Sequence, residues 1–162
     1  MPYYNSLHPR TLEDVFSSPS CSLAVVMNRY GEAHTRAFMV NMLNDLIDFF
    51  NVGKSMGALQ VAQTADLVIE EYYYLKPDDF KLCFNRAKKG CYGKLYDRID
   101  GQVILGWLAA YDTERGQAAE EESIGSSRSW DREDTGRTSE RQTEAYHAFR
   151  KYDFERKFNA KN

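Results

Sequence analysis

Residues 76–100, KPDDFKLCFNRAKKGCYGKLYDRID, decide the fold, because they carry the signals for one helix, a turn and the start of another helix. Pro77 suits the first turn of a helix, where no amide donor is needed, and Asp78 and Asp79 offset the helix dipole there. The apolar positions that follow recur at spacings of three and four, which predicts one buried face. They are Phe80, Cys83, Phe84 and Ala87. We therefore predict a helix over residues 77–89.

The turn after this helix is marked by two glycines. Gly90 and Gly93 bracket a Cys-Tyr pair, a pattern typical of a helix stop followed by a tight connection. Asp100 is a good N-cap for a further helix, which the apolar spacing predicts over residues 101–122. The predicted inward face of that helix consists of Val103, Ile104, Trp107, Leu108 and Tyr111.

Upstream of this stretch the sequence predicts three more helices. Ser18 followed by Pro19 is typical of a helix start and Gly31 of a stop, so the first helix is predicted over residues 20–30. Apolar residues at helical spacing predict the second over residues 32–50.

The third helix is predicted over residues 55–74, because Pro77 disfavours a helical conformation in the residue before it. Its predicted inward stripe consists of Leu59, Ala62, Ala65, Leu67 and Ile69. Three successive tyrosines, Tyr72–Tyr74, would point around this helix, so at least one hydroxyl is expected at the surface.

Composition and patterning together predict the fold class. With 43% hydrophobic and 14% aromatic residues, a chain of 162 residues can bury a sizeable core. Because strand alternation is nearly absent, we predict an all-α fold, a compact bundle of about five helices over residues 1–122. Residues 123–140 are polar and aperiodic, which predicts a flexible linker. Residues 141–162 form an amphipathic C-terminal segment, interpreted as a helix that orders on a protein partner, a helix docked on its own domain, or a disordered end.

Hydropathy and cysteine usage bear on the compartment. The longest strongly apolar run covers residues 23–27, far short of the roughly 20 residues that span a bilayer, and the first ten residues lack a signal-peptide pattern. We expect no membrane association and a cytoplasmic location. The three cysteines are odd in number and widely separated, which favours buried, reduced thiols over a disulfide framework.

One motif resembles the end of a phosphate-binding loop. Gly53-Lys54-Ser55 has the right residues, but the loop requires a glycine five positions before Gly53, where Asp48 stands, and a preceding strand. The simpler interpretation is that Gly53 stops one helix and Ser55 caps the next.

No catalytic or metal-binding set is found. The histidines, at positions 8, 34 and 147, lie in separate segments, and neither they nor Cys83 with Cys91 provide a recognisable set of metal ligands. The carboxylate pairs at 70–71 and 78–79 diverge by about 100° on a helix, so first-turn dipole compensation and a solvated face are their ordinary interpretations. We therefore expect no cofactor and no metal, and a binding protein rather than an enzyme.

The charge distribution points to one candidate surface. Residues 1–122 hold 12 Lys and Arg against 17 Asp and Glu, whereas residues 123–162 hold 9 against 7. Within the acidic part, six cations between positions 81 and 98 face a single aspartate. Cations in this stretch can neutralise phosphates, and its tyrosines can stack on unpaired bases or pack on sugars. The candidate nucleic-acid-binding residues are Lys88, Lys89, Tyr92, Lys94, Tyr96 and Arg98. Alternatively, the lysines only complement a helix dipole and the tyrosines fold inward.

Several segments together resemble a known family. They are DFFNVGK at 48–54, EYYYL at 71–75 and GCYGKLYDRIDG at 90–101, with Gln60, Thr64-Ala65 and Asp79-Phe80. Over residues 12–115 the chain resembles an uncharacterised family of small helical proteins from Bacteroidetes bacteria and their phages. The family has no assigned activity and transfers no catalytic residue. The resemblance implies a phage or mobile-element context, in which small helical adaptors often serve replication, for instance as helicase loaders.

Two functional hypotheses follow. The first is a non-enzymatic adaptor of a phage or mobile element that acts in DNA replication or nucleic-acid processing, with DNA or RNA and a replication protein as partners. The second is a purely protein-binding or self-assembling helical module without nucleic-acid contact. In the second hypothesis the basic turn only maintains the fold.

Overall fold

The structure, a computed structural model, describes residues 2–50, 52–95 and 98–125. Within these ranges the chain is predominantly helical and no strand is present, so the predicted all-α fold is confirmed. The helices are α1 (Pro2–Ser6), α2 (Leu12–Ser17), α3 (Leu23–Tyr30), α4 (Glu32–Phe49), α5 (Ala58–Glu71), α6 (Pro77–Lys88) and α7 (described over residues 101–125). The core and the grooves considered below lie in one compact unit, Met1–Gly116.

Three helices, α4, α6 and α7, agree closely with their sequence signals. The predicted spans 32–50 and 77–89 differ from α4 and α6 by one residue each. The predicted face of α6 is buried throughout, because its apolar residues share one side of the helix. The predicted linker at 123–140 begins too early, since residues 123–125 are still helical; the rest of that segment and residues 141–162 lie outside the described residues.

The prediction for α5 is wrong at both ends. Gly57, not Ser55, is the N-cap, and its N–H donates to the side-chain oxygen of Gln60 at 3.0 Å. Tyr72 follows the last helical residue as the C-cap, so the three tyrosines form a turn and not a helical surface. Tyr73 and Tyr74 are exposed there, as expected of at least one tyrosine, while Tyr72 is buried.

The inward face of α5 is only partly the predicted one, since Ala65 is buried and Ile69 packs against the core, as expected, but the two leucines do not. Leu59 and Leu67 are 72% and 50% exposed, respectively. The residues that pack inward are Val61, Thr64, Ala65 and Val68. These four recur at spacings of three and four, but hydropathy favoured the neighbouring leucines over a stripe that contains a threonine.

Three short helices, α1, α2 and α3, precede α4. α1 and α2 were not predicted, and Ser18 is the C-cap of α2 rather than the start of the next helix. α3 begins three residues later than predicted, at Leu23. Its first N–H groups, those of Leu23 and Ala24, donate to the carbonyls of Leu75 and Tyr73 at 2.9 and 2.8 Å. No side chain caps α3. The carbonyls of the turn after α5 therefore accept the N–H groups that the start of the helix leaves without a partner.

The first turn of α6 contains a buried polar network. Asp79 is fully buried, whereas Glu70 and Glu71 on α5 are exposed as expected. Oδ2 of Asp79 accepts the N–H of Lys76 at 2.8 Å, and Oδ1 accepts the Tyr111 hydroxyl and the Arg115 Nε–H, each at 2.7 Å. A buried carboxylate is stable only when it is paired and hydrogen-bonded in this way.

Lys76 extends this network to α2. Its ammonium group donates to the carbonyls of Val15, Phe16 and Ser18 at 3.2, 3.4 and 2.9 Å. Carbonyls at the C-terminal end of a helix lack helical partners and carry partial negative charge, which a lysine satisfies. The start of α6 thus fixes α2 through Lys76 and α7 through Asp79.

No helix among the described residues is long and apolar enough to cross a membrane. The three cysteines are free, as predicted, but only Cys83 is buried. Cys21 and Cys91 are exposed, which corrects the expectation of buried thiols for these two residues.

Candidate nucleic-acid interface

The turn after α6 and the first part of α7 form the two walls of an open groove of about 720 Å³, which we call the turn groove. One wall is the turn itself, residues 91–95, with Arg98. The other wall is α7. Its lining residues are Gln102, Val103, Gly106, Trp107 and Ala110.

The two predicted glycines shape the turn. Gly90 has φ 78° and Gly93 φ 101°, which side chains disfavour. The N–H of Gly90 donates to the carbonyl of Ala87 at 2.9 Å and that of Cys91 to Arg86 at 3.0 Å. These two bonds are the Schellman arrangement that closes a helix end with a left-handed glycine. The turn is therefore held in a defined conformation beside α7.

Small residues on α7 leave the groove open. The two small residues, Gly106 and Ala110, follow Gln102 at intervals of four, so all three lie along one side of the helix. A Cβ atom at Gly106 would meet no atom within 4 Å. Glycine within a helix costs about 1 kcal/mol relative to alanine, and packing does not require it here. A glycine in the middle of the predicted helix 101–122 is thus the sequence signal that could have indicated this groove.

Two candidate cations border the turn groove. Lys94 and Arg98 are both exposed. Nε of Arg98 lies 3.2 Å from Oδ2 of Asp100, with 68% and 30% of the two side chains exposed. Oδ1 of Asp100 accepts the Val103 N–H at 3.1 Å, as predicted for an N-cap. An exposed ion pair contributes at most about 1 kcal/mol, so Arg98 can exchange this contact for a phosphate.

A third cation reaches this region from a distant part of the sequence. Lys54 and Arg98 form an isolated parallel bridge, in which the carbonyl of Lys54 accepts the Ile99 N–H at 3.1 Å. The exposed Lys54 thus stands next to Arg98. The sequence pattern does not predict this neighbour, because it places Lys54 in the apparent phosphate-binding loop.

Tyr92 is one of two aromatic residues that line the turn groove, and Trp107 is the other. The residue is half-buried and its side chain packs against the core. Burial, followed by the neighbouring Cys83, raises the pKa of the Tyr92 hydroxyl well above its ordinary value. The phenol therefore stays neutral, and its contribution at the groove is the face or edge of a ring.

The remaining candidate residues lie elsewhere. Lys88 lines a second groove of about 270 Å³ with Asp45, Asp48 and Lys81. Its ammonium is 5.1 Å from the centre of the Phe49 ring, and partial burial, with Lys81 nearby, lowers the pKa of Lys88. Lys89 is the exposed C-cap of α6. Tyr96 lies outside the described residues. The structure therefore brings together Tyr92, Lys94 and Arg98, but not Lys88.

The described residues of the turn groove offer charged, amide and aromatic groups that can contact a ligand. Cations border it, an amide and the rings of Tyr92 and Trp107 line it, and no Asp or Glu is among its described lining residues. Among the described residues no group of three or more His, Cys, Asp and Glu side chains could hold a metal ion. The chain matches no protein-family model, no curated protein and no solved structure. The functional interpretation of the turn groove therefore follows from its geometry and charge.

Proposed function

We propose that this protein is a non-enzymatic adaptor that binds single-stranded nucleic acid in the turn groove. The observation that carries the proposal is the convergence of Tyr92, Lys94 and Arg98 on one open groove. Cations that follow a phosphate backbone, together with an aromatic ring for a base or sugar, are the two components of single-strand binding.

The dimensions favour an unpaired strand. A volume of about 720 Å³ lies within the range of small-ligand sites, roughly 300–1,000 Å³, which suits a nucleotide unit better than a duplex. Gln102 supplies both donor and acceptor groups for a base edge. Lys54, next to Arg98, extends the positive charge beyond the groove for the neighbouring phosphates.

The setting that we propose is DNA replication or nucleic-acid processing of a phage or mobile element. It is supported by the resemblance of residues 12–115 to helical proteins of Bacteroidetes bacteria and their phages. The nucleic acid is DNA or RNA, and the protein partner of the adaptor is a replication protein. The cytoplasm is the compartment in which these partners meet.

The test uses two double variants with the same change in net charge. Lys94→Glu with Arg98→Glu alters the turn groove, whereas Lys88→Glu with Lys89→Glu alters the end of α6. Binding of fluorescein-labelled oligo-dT and oligo-U is measured by fluorescence anisotropy at low and high salt, and circular dichroism checks that each variant is folded.

We expect the first variant to weaken binding at least about tenfold and the second less than about threefold. The salt dependence of log Kobs should also decrease in the first variant, by about 0.7 for each lost phosphate contact. Equal losses in both variants would show diffuse attraction without a groove. No binding by the folded wild-type protein at low salt would refute the proposal and favour the purely protein-binding alternative.

A further inference from the structure

The most apolar run of the chain lies at the surface. Of α3, only Leu23 is buried. Val25 is 47% and Tyr30 57% exposed, although both belong to a short, largely apolar helix. An apolar segment that the rest of the described chain leaves partly exposed is typical of a protein interaction site.

α3 forms one side of a groove of about 470 Å³, which we call the α3 groove. Val25, Val26 and Tyr30 line it from α3, Phe38 lines it from α4, and Cys21 lies in the segment before α3. The lining differs from that of the turn groove, because aliphatic and aromatic side chains dominate it. Such a groove accepts the apolar side of an amphipathic helix, whose anchor residues recur at i, i+3, i+4 and i+7.

The described lining of the α3 groove carries positive charge and no carboxylate. Arg29 lines it, with its guanidinium 5.6 Å from the centre of the Tyr30 ring, whereas no described lining residue is Asp or Glu. No described carboxylate forms an ion pair with Arg29. An arginine held beside exposed aromatic and aliphatic side chains is a frequent centre of binding energy, and it selects a carboxylate.

We infer that the α3 groove is the docking site for an amphipathic helix of a partner protein that carries a carboxylate beside its apolar face. An extended peptide is disfavoured, because strand addition requires a sheet edge and the described ranges contain no sheet. Within those ranges, a second copy of this chain could offer the exposed Leu59 and Leu67 of α5. That head-to-tail contact builds rings or open chains rather than a two-fold dimer, so a separate partner fits better.

The experiment uses two synthetic helical peptides that differ only in charge. Both carry leucines at i, i+3, i+4 and i+7; one has glutamates beside them and the other has lysines. Their binding to the full chain is measured by fluorescence anisotropy with the wild type and with Val25→Lys, Arg29→Glu and Leu67→Lys. Leu67→Lys is the matched control, since Leu67 is 50% exposed on α5, outside the groove.

The acidic peptide should bind the wild type at least about tenfold more tightly than the basic one. Val25→Lys should weaken acidic-peptide binding about tenfold and Leu67→Lys should not, while Arg29→Glu should shift the preference towards the basic peptide. The Lys94→Glu and Arg98→Glu double variant should bind the acidic peptide normally, so the inference does not depend on the nucleic-acid proposal.

Three results would overturn the inference. The first is the absence of acidic-peptide binding by the folded wild type. The second is equal affinity for both peptides, which would remove the role of Arg29. The third is concentration-dependent assembly of the wild type, seen by light scattering and abolished by Val25→Lys, which would assign the groove to a second copy of the chain.

Discussion

The hydroxyl of Tyr111 donates a 2.7 Å hydrogen bond to Oδ1 of Asp79, a carboxylate that is fully buried. Arg115 lies at the same distance from the same oxygen. Because these residues join the start of α6 to α7, and Lys76 joins that start to α2, the network holds three helices in register.

Removal of the Asp79 carboxylate should destabilise the fold strongly. Asp79→Ala leaves the largely buried Arg115 without its counter-ion, so we expect a loss of about 3–5 kcal/mol in the free energy of unfolding. Tyr111→Phe removes one buried donor and should cost about 1–3 kcal/mol. Urea denaturation measures both. The matched control is Asp66→Asn in the exposed Arg36–Asp66 pair, which should change stability by less than about 1 kcal/mol; a similar loss there would contradict this account.

Stability should decrease at alkaline pH through Cys83. Burial raises the pKa of the Cys83 thiol from 9.0 to about 12. Since the folded pKa lies above the unfolded one, this contribution to stability is complete below pH 9 and is lost as the pH rises towards 12. Cys83→Ala should therefore flatten the dependence on pH between about 8.5 and 10, measured by urea denaturation. Cys91→Ala, at an exposed thiol, should leave the dependence unchanged; equal slopes for all three proteins would refute the assignment.

Gly101 is required where α7 meets α5. A Cβ atom at Gly101 would lie 2.6 Å from Oγ1 of the buried Thr64. Gly101→Ala should therefore destabilise the fold by about 1–3 kcal/mol, although alanine is the better helix former. The double variant with Thr64→Ala should lose less than the sum of the single losses, because the clash is then absent. Additive losses in thermal denaturation would contradict the proposed contact.

Gly106 offers a way to fill the turn groove without disturbing the core. Gly106→Leu places a side chain in open space, so it should preserve or slightly raise stability, by up to about 1 kcal/mol, and weaken oligonucleotide binding at least about tenfold. Gly116→Leu is the matched control, as Gly116 also lies in α7 with open space at its Cβ position but does not line the groove. Unchanged binding by a folded Gly106→Leu variant would place the nucleic acid elsewhere.

The parts of the fold that the sequence predicted well depend on local signals. α6 has a first-turn proline, a regular apolar face and a glycine stop within 14 residues, and both its span and its buried face were confirmed. α5 lacks such signals at its ends. Its inward face contains Thr64, and only contact with the start of α7 reveals why that residue is buried.

The features that the sequence did not predict depend on contacts between distant residues. Asp79 was interpreted as a first-turn carboxylate, and its partners Tyr111 and Arg115 lie more than 30 positions away. The same holds for Lys54, which reaches Arg98 only through a backbone bridge. The candidate cations were visible in the sequence, but their division between two grooves was not.

Two exposed cysteines allow a direct test of whether nucleic acid binds in the turn groove. Cys91 lines the turn groove and Cys21 lines the α3 groove. Alkylation of the folded chain by iodoacetamide, a neutral reagent, can be followed at each thiol by peptide mass spectrometry, with Cys83 as a buried reference. Saturating oligo-dT should slow the alkylation of Cys91 several-fold and leave that of Cys21 unchanged. If Cys91 reacts at the same rate with and without oligonucleotide, the turn groove is not the nucleic-acid site.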